Sequence, residues 1–143
     1  MSIFNLLFSS TKIDSKSANI GLLLLRVCAG LTMAFGHGLG KLPPSDGFIG
    51  MIQGKMGLPL PTLMAWLAGL GEFLGGLFMA IGIMTRPSAL FMAAVMFMAV
   101  FNFHLADPFA AKEKGLLFFI IGLTVVFTGP GKFSLDNIIS NRK

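Results

Sequence analysis

ANIGLLLLRVCAGLTMAFGHGLG, residues 18–40, decides the fold class, because it reads as hydrocarbon and small side chains interrupted by one arginine. The run is as long as the roughly 17 to 25 residues that a helix needs to cross a bilayer core. Three further stretches, 62–84, 88–106 and 115–129, read the same way, the last short enough to stand upright or thin the membrane locally. The whole chain has 55% hydrophobic and 12% charged residues and a mean hydropathy of +0.82, which leaves too little polar surface for a soluble domain. The expectation is an all-α membrane protein: one domain over 1–143, an antiparallel bundle of four transmembrane helices.

The connections support that reading. Pro43, Pro44, Ser45, Asp46 and Gly47 stop the first span, and the loop from 41 to 61 carries GFIGMIQGKMGL, apolar enough to lie in the interface as a short helix. This longest loop is the natural lid. TRPS, residues 85–88, reads as a tight helix-to-helix turn, and Asp107 before Pro108 as an N-cap. Residues 1–12, MSIFNLLFSSTK, lack the basic start of a cleavable signal, though Ile3, Phe4, Leu7 and Phe8 offer a small interfacial anchor.

Charge position explains charge sign. Outside the spans Lys12, Lys16, Arg86, Lys132, Arg142 and Lys143 fall on one side, and Lys41, Lys55, Lys112 and Lys114 on the other. That bias puts both termini in the cytoplasm and assigns the net +5 to topology and anionic headgroups, not to nucleic acid. The lone Cys28 gives no dithiol chemistry, so a thiol partner must bring its own pair.

Small residues recur at four-residue intervals, Gly30, Ala34 and Gly38 in the first span and Gly76 and Ala80 in the second, so these helices should touch backbone to backbone. Arg26, Gly30, Met33 and His37 share one face of the first span, and Glu72 shares one face of the second with Gly69 and Gly76. By helical rise, Arg26 and Glu72 fall at similar depth in the bilayer, and isolated charges there are costly, so the two are expected to pair. Two readings stay open: a structural salt bridge, or a proton-accepting, ligand-orienting pair lining a midplane pocket. His37 and His104 reach the same outer level on different spans. Two such histidines can ligate haem, although helix-end histidines more often bond carbonyls, and no third ligand suggests a metal. Met92 and Met96 read as core filler, and Thr124 and Thr128 as bonded back to carbonyls.

LRVCAGLTMAFGHGLGKL (25–42), GLGEFLGGLFMAIGIMTRPSA (69–89) and GPGKFSLDN (129–137) together resemble the DoxX family of small four-span membrane proteins, over about residues 18–138. The family's span-one pattern falls on Arg26, Gly30, His37, Gly38 and Lys41, and its span-two pattern on Glu72, Gly75 and Gly76. Its closing pattern falls on Gly129 to Gly131 and Ser134 to Asp136, where Ser134 and Asp136 should cap a short interfacial helix. The resemblance implies a bacterial-type inner membrane and association with redox complexes, since members resemble the small subunit of thiosulfate:quinone oxidoreductases or are linked with thiol and superoxide defence. The expected site is then a quinone pocket, with Arg26 as donor, Glu72 as proton carrier, His37 leading protons outward and His104 nearby. Electrons would come from a soluble redox partner. A non-enzymatic scaffold for soluble partners is the alternative, and a small transporter, formed by a homo-oligomer, a third.

Overall fold

The computed structural model describes residues 13–141; the proposed interfacial anchor and the charges of Lys12, Arg142 and Lys143 lie outside them. The described residues form helices joined by short connections. α1 runs over Lys16–Lys41, its last two turns passing from α into a π-helical segment, Ala34–Gly38, and a 3-10 turn, Leu39–Lys41. α2 is Asp46–Met51, continued by π-helical Ile52–Met56. α3 is Pro61–Ile81, α4 is Thr85–Phe103 with its own π segment at Ala99–Phe103, α5 is Phe109–Thr128, and α6 is Leu135–Ser140.

α1, α3 and α4 are each long and apolar enough to cross a membrane. α5 begins before its apolar stretch and carries Lys112, Glu113 and Lys114 in its first turns. α3 packs between α1 and α4, and α5 packs on α4 and α1. The core between them is built of Ala29, Met33, Met79, Met92, Met96 and Val125, while Leu24, Phe35, Leu90, Leu117 and Phe127 point outward. Thus Met92 and Met96 are packing residues, as their spacing suggests. Thr124 and Thr128 donate to the carbonyls of Ile120 and Thr124 at 2.8 and 2.7 Å, which satisfies hydroxyls that face outward from an apolar helix.

Local chemistry sets the ends. Ser15 caps α1 by accepting from Ala18 N, Ser45 caps α2 through Phe48 N, and Ser134 caps α6 through Asn137 N. The turn between α3 and α4 lies at 82–84, not at 85–88, because Gly82 takes φ +79 and Thr85 already opens α4. Pro87 then sits in the first turn of that helix, where a missing N–H costs no hydrogen bond. Asp107 is not the cap of α5: Pro108 holds that position without a side-chain bond, and Asp107 is engaged elsewhere.

The α1–α3 contact has no room for side chains. A Cβ at Gly38 would meet the backbone N of Phe73 and, at 2.8 Å, the carbonyl carbon of Glu72; one at Gly76 would stand 2.6 Å from Gly30 O. Backbone atoms cannot swing aside as a flexible side chain can. Gly38→Ala should therefore lower the midpoint of thermal unfolding in nanodiscs, with a loss of about 1 to 3 kcal/mol typical of overpacking. Gly50→Ala, where open space surrounds the position, should change it little.

Candidate functional site

The glycine register separates the two charges that the sequence would join. Gly38, not Arg26, stands beside Glu72 on α3, a displacement of about 18 Å along α1 at 1.5 Å per residue. Arg26 lies at the end of the molecule that holds the α3–α4 turn, and Glu72 toward the opposite end, where residues 41–61 and 104–108 connect the helices. These are the turn face and the loop face.

At the turn face the guanidinium of Arg26 is fully buried and donates to Met79 O at 3.1 Å and Phe133 O at 2.6 Å. Its terminal nitrogen occupies the space that a side chain at position 82 would need, which adds a second reason for Gly82 beyond its positive φ. Asp136, also buried, supplies the neighbouring negative charge. Its carboxylate accepts from Met84 N and Thr85 N, both at 2.8 Å, and from the Thr85 hydroxyl at 2.6 Å. It is therefore not a cap of α6, because it satisfies the orphan N–H groups of the α3–α4 turn instead. Asn19 completes the clamp, donating to Ile13 O and Ser15 O and accepting from Lys132 N. Arg26 thus ties α1 to the end of α3 and to the segment before α6.

At the loop face Lys41 takes the place expected for Arg26. Its ammonium donates to both oxygens of Glu72, at 2.5 and 2.7 Å, with Glu72 only 1% exposed and the lysine side chain 32% exposed. The packing register supplies the reason: Gly38 lies against the backbone of Glu72 and Phe73, and Lys41 follows three residues later on α1. The π segments of α1 and α4 flank this region. His37 lies within the first, and His104 directly follows the second.

Two cavities meet at the ion pair. The smaller, about 190 Å³, is lined by His37, His104, Met33, Met96 and Phe118 together with Lys41 and Glu72. The larger, about 450 Å³, lies under α2 and is walled by Phe48, Ile52, Met64, Leu67, Phe91 and Phe103. Lys41, Glu72, Ala99 and His104 belong to both walls. Three of the expected site residues, Glu72, His37 and His104, are therefore brought together, and Arg26 lines neither cavity.

A second polar cluster, which sequence reasoning missed, closes the loop face. Asp107 Oδ2 accepts from His104 Nδ1 at 2.7 Å and from Lys55 Nζ at 3.0 Å, and Lys55 also lies 4.2 Å from the Phe103 ring centroid. The bond from His104, followed by that from Lys55, holds the Asp107 carboxyl below its ordinary range. Lys55 comes from the π segment after α2, so this cluster ties the loop to the segment that follows α4. The loop supplies Phe48, Met51, Ile52 and Met56 to the wall of the larger cavity.

Comparison with known proteins then bears on this geometry. The sequence pattern of the DoxX family matches residues 21–105, which include Arg26, His37, Lys41, Glu72 and His104. The chain belongs to the DoxX family. Two relatives extend the match over nearly the full length of this DoxX protein. One from Bacillus subtilis (strain 168), named "Putative oxidoreductase CatD", is 32% identical over 90% of this chain and 94% of its own. The inner membrane protein YqjF of Escherichia coli (strain K12) is 32% identical over 89% of this chain and 98% of its own. No solved structure matches the chain significantly. This DoxX protein is a membrane protein whose apolar helices associate with the lipid bilayer.

Proposed function

We propose that this DoxX protein is a four-span inner-membrane subunit of a quinone-linked redox complex, and that the Lys41–Glu72 pair is where it meets the quinone head group. The observation that carries the reading is the larger cavity, apolar along its walls and ending on a buried carboxylate held by an ammonium. Its volume falls in the range of small-molecule sites, and the few polar groups converge at one end, as such sites require. Lys41 offers N–H donors to a ring carbonyl, His104 an exchangeable nitrogen, and Phe48, Phe91 and Phe103 flat apolar surface, so the residues fit such a ring. A quinone, when bound, accepts electrons and protons together. Glu72 balances the lysine charge within the membrane and gives the site a second proton-binding group.

Topology follows the same reading. α5 spans as the fourth helix, its apolar length starting at Gly115, with Lys112 and Lys114 before it at the loop face. Both termini then lie on the turn face, which the distribution of Lys and Arg assigns to the cytoplasm. The electrons come from a soluble partner. The name of CatD agrees with a redox role and that of YqjF with an inner-membrane location.

Trp66, the one tryptophan in the sequence, precedes Leu67 of the cavity wall and reports on occupancy. A short-chain ubiquinone analogue titrated into protein in nanodiscs should quench it saturably, with the apparent affinity at least tenfold weaker in Lys41→Met and in Glu72→Gln. Identical, non-saturating quenching in all three proteins would refute the quinone pocket and favour a scaffold that binds its partners through loops.

A further inference from the structure

Building on that reading, we propose that His104, oriented by Asp107, is the group through which protons pass between the loop face and the buried Lys41–Glu72 pair. Three observations place it there. His104 shares both cavity walls with Lys41 and Glu72. Its side chain keeps 31% of its exposure, so it is open to the outside of the molecule on one side and to the cavities on the other. Of the four residues common to both walls, it alone carries a group that ordinarily exchanges protons near neutral pH.

Asp107 fixes which nitrogen does the exchanging. With the carboxylate ionised, Oδ2 can only accept, so Nδ1 of His104 carries its hydrogen and Nε2 is left to take and return a proton. Uptake at Nε2 gives an imidazolium balanced by Asp107, and release toward Glu72 restores the neutral ring, with the carboxylate ionised throughout. The proton count closes without any further group. The smaller cavity is wide enough for several water molecules at about 30 Å³ each, a path from His104 to Glu72.

The surrounding charges make this the favoured way through. Lys112 and Lys114 of α5 face the smaller cavity and oppose a free hydronium there, as does Lys55 beside Asp107. Lys41 of α1 already has both oxygens of Glu72. His37, also of α1, lines the smaller cavity but not the larger, with its ring 5.8 Å from that of Phe118, centroid to centroid. Asp107, bonded to both Lys55 and His104, is the carboxylate beside them.

The test needs no quinone. After a rapid drop in pH, time-resolved infrared spectroscopy of the full chain in nanodiscs follows the protonated-carboxyl band that Glu72→Gln abolishes. His104→Gln should slow its rise at least tenfold, and Asp107→Asn severalfold with a flattened dependence of the rate on pH. Added imidazole should restore the rate in His104→Ala, which a merely structural loss would not allow. Lys132→Gln, on the turn face, should leave it unchanged. An unaltered rate in His104→Gln, slowing in His37→Gln instead, or no Glu72 band at any accessible pH would each overturn the proposal. Loss of saturable quenching by the ubiquinone analogue would sink the quinone reading alone, so the two failures are distinguishable.

Discussion

Replacing Lys41 with methionine is expected to lower the unfolding free energy of the protein in nanodiscs by about 3 kcal/mol. Glu72 is 1% exposed and its carboxylate oxygens take their hydrogen bonds from that one ammonium. Removing one partner of a buried pair leaves the other charge without compensation, which typically costs about 3 to 5 kcal/mol. The lower end applies because the lysine side chain itself keeps 32% of its exposure, and solvent screening weakens what the pair contributes. For the same reason Glu72→Leu alone should cost less, about 1 kcal/mol, since the freed ammonium can turn to water. The double replacement should recover most of the loss seen in Lys41→Met. Equilibrium unfolding followed by circular dichroism measures all three, and a loss below about 0.5 kcal/mol in Lys41→Met would contradict the burial of Glu72.

Arg26→Met should be comparably destabilising, yet leave the ubiquinone analogue bound within about twofold of wild type. Its guanidinium makes hydrogen bonds to Met79 O and Phe133 O in a fully buried position. Hydrogen bonds to a charged group contribute about 1.5 to 3 kcal/mol each, so the sum lost over the two is about 3 to 6 kcal/mol. Asp136 would keep its three donors from Met84 and Thr85 but lose the compensating positive charge. Arg26→Lys should rescue little, because one ammonium cannot span two carbonyls that a planar guanidinium reaches at once. Unfolding and analogue titration on the same preparation separate the two effects. A large drop in affinity with stability unchanged would return Arg26 to the quinone site.

Much of the architecture was legible from residues alone, and for identifiable reasons. Apolar runs of the right length marked α1, α3 and α4, prolines marked the long loop, and the four-residue recurrence of Gly30, Ala34 and Gly38 marked the face that meets α3. Depth was the weak point. Counting residues from assumed membrane edges put Arg26 opposite Glu72, whereas the register is set by which glycines fit against which backbone, and Gly38 against Phe73 moves the match by about 18 Å. Nor does helical periodicity foresee the π segments near the ends of α1 and α4, beside which His37 and His104 stand. One signal for Lys41 was present: it closes the span-one pattern of the family, four residues after His37. Asp107 and Lys55 gave no such signal, since their meeting depends on how α2 folds back over the larger cavity. Asp107 before Pro108 looked like a cap because that is the commoner use of an aspartate there.

The central claim is that the two intramembrane charges belong to different structures, Glu72 to the loop-face site with Lys41 and Arg26 to the turn-face clamp with Asp136. A pair of double-mutant cycles tests it most directly, using unfolding free energies in nanodiscs for Lys41→Met with Glu72→Leu and for Arg26→Met with Glu72→Leu. Coupling above about 1 kcal/mol is expected in the first cycle and additivity within about 0.5 kcal/mol in the second, since distant sites without shared partners add. Coupling between Arg26 and Glu72 with additivity between Lys41 and Glu72 would contradict it.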